Sequence, residues 1–226
     1  MAILIERVKP VAKQIIQFLL LKVEYFRERL EGYFGAYRVD TEHVYSQKEN
    51  ELIDQSAEIV QQFFPDPPGS SLLQEDFESR CQVLEDLAAR LIQAYELNDV
   101  DVIITGDPDV FPENCGTLGM TIMQDKTVYL NANFLGMDNE MVLERIVSTV
   151  IHELRHVMQY EIMTLENTRG VPYQRRKAWR YTTYHYVSPS LDREAYVKQS
   201  IEFDARNFAN RVWQGAYRKN VPLGGH

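Results

Sequence analysis

Cysteine, long apolar runs and positive charge are all scarce in this chain of 226 residues, and each scarcity removes a class of protein. The two cysteines, Cys81 and Cys115, are too few for a disulfide scaffold. They fit a reducing compartment, so a cytoplasmic location is expected. The N-terminal segment MAILIERVKPVAKQIIQFLLLKVEYFRERL has apolar runs of only five residues, Met1 to Ile5, and four, Phe18 to Leu21, with Glu6, Arg7, Lys9, Lys13 and Lys22 interrupting it. A membrane span needs about 20 consecutive apolar residues and a signal peptide needs an unbroken apolar core, so neither is expected here. An amphipathic helix packed on the body, broken or kinked at Pro10, is expected instead. Basic residues number 24 against 33 acidic ones, giving a net charge of -9 and a pI of about 5.1. Such a surface repels phosphate backbones, which argues against a nucleic-acid partner. The basic stretch RGVPYQRRKAWR, Arg169 to Arg180, reads as a solvated loop. Internal repeats and low-complexity tracts are also missing.

What is present suffices for a folded body. Hydrophobic residues make up 45% of the chain, enough for a substantial core. Residues 3–31 read as a helix ended by Gly32 and Gly35, and residues 49–64 as a second, stopped by PDPPG at Pro65 to Gly69. Ser70 and Ser71 offer caps for a long helix over about 72–97, with Cys81 buried on it. The composition then becomes β-rich. DVIIT (Asp101 to Thr105) is one strand, and TLGMTIMQ and KTVYLNANF form a hairpin with a tight turn at Asp125-Lys126. A strong helix runs from Asn139 to about Met163, and a tyrosine-rich loop leads to YVSPS. A last long helix spans Leu191 to about Gly215, with Asp192 as its cap. Helices, a small sheet and helices in that order predict an α+β fold. Residues 1–98 form a helical N-terminal lobe and residues 99–226 a core, together one compact unit.

Histidine is rare, five in the chain, yet two of the five stand in VIHELRHVMQY, Val150 to Tyr160. Leu143, Val147, Val150, Leu154 and Val157 form the apolar stripe of this helix at helical spacing. His152 and His156 fall nearly opposite that stripe, beside Arg145, Thr149 and Gln159. Positions i and i+4 stack on one face, so the two imidazoles can meet one metal ion. Glu153 sits at the edge of the pair, as suits a general base that touches water without occupying a coordination position. Zinc accepts neutral imidazole nitrogens and, in catalytic sites, keeps a position open for water. Two solvated histidines on a polar face would give the same pattern, and a third ligand decides between the readings.

Two residues compete for that place. Glu202, in SIEFDARNFANRV on the last helix, borders an apolar stripe that includes Phe208 and Val212, and a buried carboxylate there needs a partner. Ala205 and Ala209 let this helix approach its neighbour closely. Glu202 could instead be exposed and paired with Arg206 at i+4. Glu194 is an alternative on a neighbouring face, and Asp204 is suited to orient a ligand. The other competitor is Cys115, in Glu113-Asn114-Cys115, ahead of a strand. That layout is similar to the peptide deformylases, although their glycine-rich upstream loop is missing.

HELRHVMQ followed on the next helix by E-F-D-A-R-N-F-A resembles the ImmA/IrrE-type family of HExxH zinc metallopeptidases, with gluzincin-like ligands. The resemblance covers roughly residues 101–212. It implies His152, His156 and Glu202 as ligands of Zn2+, Glu153 as general base and a zincin-like core whose hairpin edge lines a substrate cleft. It leaves residues 1–98 unexplained. The chain lacks the Glu-x-x-x-Asp pattern of thermolysin-like enzymes, because Arg206 stands at the fourth position after Glu202. Oxyanion stabilisation needs a further donor. The run YTTYHYVSP supplies Tyr181, Tyr184, His185 and Tyr186, and Tyr196 follows; His185 is the first choice and Tyr184 the second. The expected activity is hydrolysis of a peptide bond in a protein or peptide substrate lying along Gly116 to Gln124. A zincin-fold protein that binds a partner without cleaving it, and a deformylase-like metallohydrolase, are the alternatives.

Overall fold

The computed structural model describes residues 44–113, 115–164 and 169–217. The helix expected over residues 3–31 lies outside them. Eight helices and three strands follow one another among the described residues, as an α+β chain with a small sheet. Helix α1 spans Gln47–Phe63, α2 Pro68–Leu73 and α3 Phe77–Ala94. Strands β1 (Asp101–Thr105), β2 (Gly119–Ile122) and β3 (Thr127–Asn131) come next. Helices α4 (Ala132–Leu135), α5 (Glu140–Thr164), α6 (Tyr173–Tyr184), α7 (Arg193–Lys198) and α8 (Ser200–Tyr217) complete the order. No helix of the described residues is long and apolar enough to cross a membrane.

Local capping explains where the helices differ from expectation. The single helix expected over 72–97 is two. Asp76 accepts from Ser79 N at 2.8 Å and starts α3, while Ser70 and Ser71 fall inside the short α2 that Pro68 opens. Cys81 is half-buried on α3. The final helix is also split. Asp192 caps α7 as expected, with Ala195 N donating at 3.0 Å, but Gln199 is extended (φ -60°, ψ 133°) and breaks the chain before α8. The tyrosine-rich stretch and the basic cluster are not loop but largely helix α6. There Trp179 is fully buried, Arg175 pairs with Glu49 and Arg180 donates to the Met163 carbonyl at 2.5 Å. Tertiary burial of one tryptophan outweighs the polar composition of that segment.

The sheet runs in the order β1-β3-β2. β1 is parallel to β3, and β2 is antiparallel to it with Gly119 opposite Leu130 and Thr121 opposite Val128. The hairpin turns where expected: Lys126 N donates to Met123 O at 3.3 Å and Lys126 adopts φ +51°. The strands are shorter than the apolar pattern suggests, because Asn131 accepts from Asn133 N and caps α4. Lys126 Nζ reaches Glu161 Oε1 and Asn98 O, each at 2.8 Å, and so ties the hairpin to α5.

Helices from both sides of residue 98 enter one core. Ile53, Val60, Leu84, Leu87, Leu91, Val128, Leu130, Leu143, Val150, Leu154, Ile201, Phe208 and Val212 are all buried in it. Each such side chain contributes about 1.5–3 kcal/mol by leaving water. α5 is the central rod. Polar residues of α5 are covered too: Glu153, Arg155, His156, Gln159 and Glu161 are buried beside the apolar stripe, His152 and Thr149 are half-buried and Arg145 stays exposed.

Candidate metal centre and active site

α5 begins with a cap, Asn139 Oδ1 accepting from Val142 N at 3.2 Å, and delivers His152 and His156 one turn apart. Their Nε2 atoms lie 3.1 Å apart, and their rings meet edge to face. α8 brings Glu202 in its first turn. Buried Ala205 and Ala209, with no long side chains, allow that helix to lie close. Glu202 Oε2 lies 3.4 Å from His152 Nε2, and Oε1 lies 3.5 Å from His156 Nε2. Among the described residues, these three form the one group of metal-ligating side chains that converges in this way.

The other competitors for the third place go elsewhere. Cys115 Sγ accepts from Asn131 Nδ2 at 3.8 Å, and Glu194 is exposed and paired with Lys198. Glu202 is not the exposed partner of Arg206 either: it is 2% exposed, and the guanidinium stands 4.0 Å away.

The donor set fits a small, borderline-soft cation. With metal–ligand bonds of about 2.0–2.1 Å, the edge of a tetrahedron is about 3.3–3.4 Å. The separations of 3.1, 3.4 and 3.5 Å bracket that edge. Two imidazole nitrogens disfavour calcium or magnesium, which take oxygen ligands. Glu202 Oε2 is buried and accepts no hydrogen bond, an orphan acceptor that a cation would satisfy. The electrostatics agree. Burial alone pushes His156 down, but the Glu202 and Glu153 carboxylates and the bond to Gln159 bring it up to about 9. Burial likewise pushes the Glu202 carboxyl up, yet the two imidazoles hold it well below the usual carboxylate range. The cluster is built to hold positive charge, whether a proton or a metal.

Glu153 is held from the sheet. Thr121 Oγ1, on the edge strand β2, stands 2.7 Å from Glu153 Oε2 and 3.1 Å from its backbone carbonyl. Thr121 was missed by sequence reasoning, since only the register of β2 against α5 selects it among the hydroxyls of the hairpin. Gly119, two residues earlier on the same face, lets the strand come near: a Cβ there would lie 2.7 Å from Thr149 Cγ2 and 3.3 Å from Glu153 Cγ.

The hydroxyl groups at Glu202 are those of Tyr186 and Tyr196. Tyr186 Oη donates to Glu202 Oε1 at 3.1 Å, and Tyr196 packs edge-on against Tyr186 with ring centroids 6.1 Å apart. Burial, followed by the charge of Glu202, raises both phenols above their ordinary range, so both stay protonated donors. Gln199 clasps this segment, accepting from Val187 N and donating to Val187 O, each at 2.9 Å. His185 instead stacks on Tyr181 and bonds its carbonyl through Nδ1 at 3.0 Å, and Tyr184 is exposed. The first and second sequence choices thus stand one and two residues before the tyrosine that reaches Glu202.

Beneath the cluster lies a buried polar network. His156 Nδ1 meets Gln159 Oε1 at 2.8 Å, and Gln159 Nε2 donates to Asp204 Oδ2 at 2.8 Å and to Ile201 O at 3.0 Å. Arg155 joins Asp204 at 2.8 Å and Glu49 at 2.6 Å.

No family model, curated protein or solved structure matches this chain.

Proposed function

We propose that this chain is a zinc-dependent peptidase with a zincin-like core, in which His152, His156 and Glu202 hold the metal and Glu153 is the general base. One observation carries the reading: two imidazole nitrogens and a buried carboxylate whose Oε2 accepts no hydrogen bond converge at tetrahedral spacing, with a second carboxylate beside the imidazoles on the same helix. The resemblance of HELRHVMQ and EFDARNFA to the ImmA/IrrE-type metallopeptidases supports the same assignment. When bound there, zinc supplies a Lewis acid that brings the pKa of a coordinated water to about 7.

The chain's own groups do the rest. Glu153 accepts the proton of the attacking water and returns it to the leaving amine. Thr121 fixes the Glu153 carboxylate through Oε2. Tyr186, rather than His185 or Tyr184, donates to the oxygen that gains charge, with Tyr196 beside it. β2 pairs with β3 on one side, and its other edge takes the substrate as an added extended strand. The substrate class is a protein or peptide, consistent with strand addition.

The test is metal analysis together with mass-spectrometric cleavage of a degenerate peptide library. Wild type should carry one zinc and cut. Glu153→Gln should keep the zinc and lose activity by about 10²–10⁴-fold, the contribution of a positioned base. Undiminished cleavage by Glu153→Gln overturns the mechanism, and a protein without metal affinity overturns the site. Zinc without cleavage by wild type favours a partner-binding protein.

A further inference from the structure

Resting on the metal-centre reading above, we infer that Gln159 and Asp204 are positioning residues for His156, selecting the imidazole tautomer that presents Nε2 to the metal. A glutamine amide has donors at its nitrogen end and an acceptor at its oxygen end. Gln159 Nε2 lies 3.0 Å from the Ile201 carbonyl and 2.8 Å from Asp204 Oδ2. A backbone carbonyl can only accept, and Asp204 Oδ2 already accepts from Arg155 Nε, so the nitrogen end must face them. The oxygen end then faces His156 Nδ1 at 2.8 Å, and an acceptor at that place requires the proton on Nδ1. The neutral ring therefore carries its lone pair on Nε2, the atom directed at His152 and Glu202.

Asp204 can orient the amide because both its oxygens accept from a guanidinium, which only donates. Arg155 Nε donates to its Oδ2 at 2.8 Å and Nη2 to its Oδ1 at 3.3 Å. That guanidinium is fully buried, lies 4.6 Å from the Phe208 ring centroid and 5.4 Å from that of Trp179, and is completed by Glu49. Arg155 immediately precedes His156, so one step of helical twist sends the two side chains to different neighbours. His156, Gln159, Asp204 and Ile201 are all buried, leaving little water to compete for these bonds. A role in packing alone would need volume at position 159, not an amide whose donors and acceptor are all matched.

Gln159→Met keeps the volume and removes the acceptor. Its zinc affinity, measured by competition with a chromophoric chelator, should fall about 10- to 100-fold. Circular dichroism should confirm that the fold is retained. Equal affinity of variant and wild type overturns the positioning role alone, whereas a wild type that binds no zinc overturns the metal-centre reading itself. A second measurement needs no variant. Long-range proton–nitrogen NMR of the zinc-loaded wild type should show a slowly exchanging proton on His156 Nδ1. Coordination through Nδ1 would overturn the inference.

Discussion

Replacing Gly119 by alanine adds one methyl group where the edge strand meets α5. Built on the existing backbone, its Cβ lies 2.7 Å from Thr149 Cγ2, 3.1 Å from Tyr129 O and 3.3 Å from Glu153 Cγ. Carbon atoms pack comfortably at about 3.5–4.0 Å, so the first contact is too short by roughly 1 Å. Thr149 cannot easily turn away: it is β-branched on a helix, and its Oγ1 already donates to Arg145 O at 2.8 Å. The strand must therefore move off the helix, against its pairing with β3. Overpacking of this kind costs about 1–3 kcal/mol. The same movement stretches the Thr121–Glu153 bond, now 2.7 Å. A displacement on the order of 1 Å at a positioned group can cost about 10²-fold in rate. Urea unfolding measures the first effect and peptide cleavage the second. A double-mutant cycle sharpens the assignment: Thr149→Ser removes Cγ2 and should recover much of the stability lost by Gly119→Ala. Unchanged stability and activity in Gly119→Ala, or no rescue by Thr149→Ser, would refute this account of how β2 and α5 meet.

Arg155→Met should be destabilising by about 3–5 kcal/mol in denaturant unfolding, because it leaves Asp204 and Glu49 buried without the guanidinium between them. A loss below about 1 kcal/mol would show that the network contributes little. pH provides the other handle. The pKa of His156 is raised to about 9, so in the metal-free protein its stabilising contribution is complete below its ordinary value and lost as pH rises through about 9. The pKa of Glu202 is depressed, so its contribution is present above the ordinary carboxylate range and lost in acid. A metal must displace the His156 proton, so zinc affinity should rise steadily from pH 6.5 to 8.5, about tenfold per unit for one proton. Affinity that is flat over that interval contradicts the protonated state assigned to His156.

Short-range periodicity carried much of this protein in its sequence. The i, i+4 spacing alone stacks His152 on His156, and a glutamate bordering an apolar stripe marks Glu202 as a carboxylate needing a partner. The alternation around Asp125-Lys126 likewise marks the hairpin. Most other features depend on contacts between residues far apart in the chain, which local patterns do not encode. Trp179 turns an apparently solvated basic loop into a helix by being buried; the cap at Asp76 and the extended Gln199 are local, yet they divide what the apolar periodicity joins. Between Cys115 and Glu202 only the approach of α8 to α5 decides, and that approach leaves Cys115 with Asn131. The same packing chooses Tyr186 and Tyr196 from a run of equivalent hydroxyls, and brings Thr121 to Glu153 across the strand–helix interface. Even much of the polar surface of α5, which the helical wheel alone would leave in water, is buried once α8 and β2 pack on it. Its charges survive there because Glu49 and Asp204 meet Arg155, Thr121 meets Glu153 and Lys126 meets Glu161, each from a distant place in the chain.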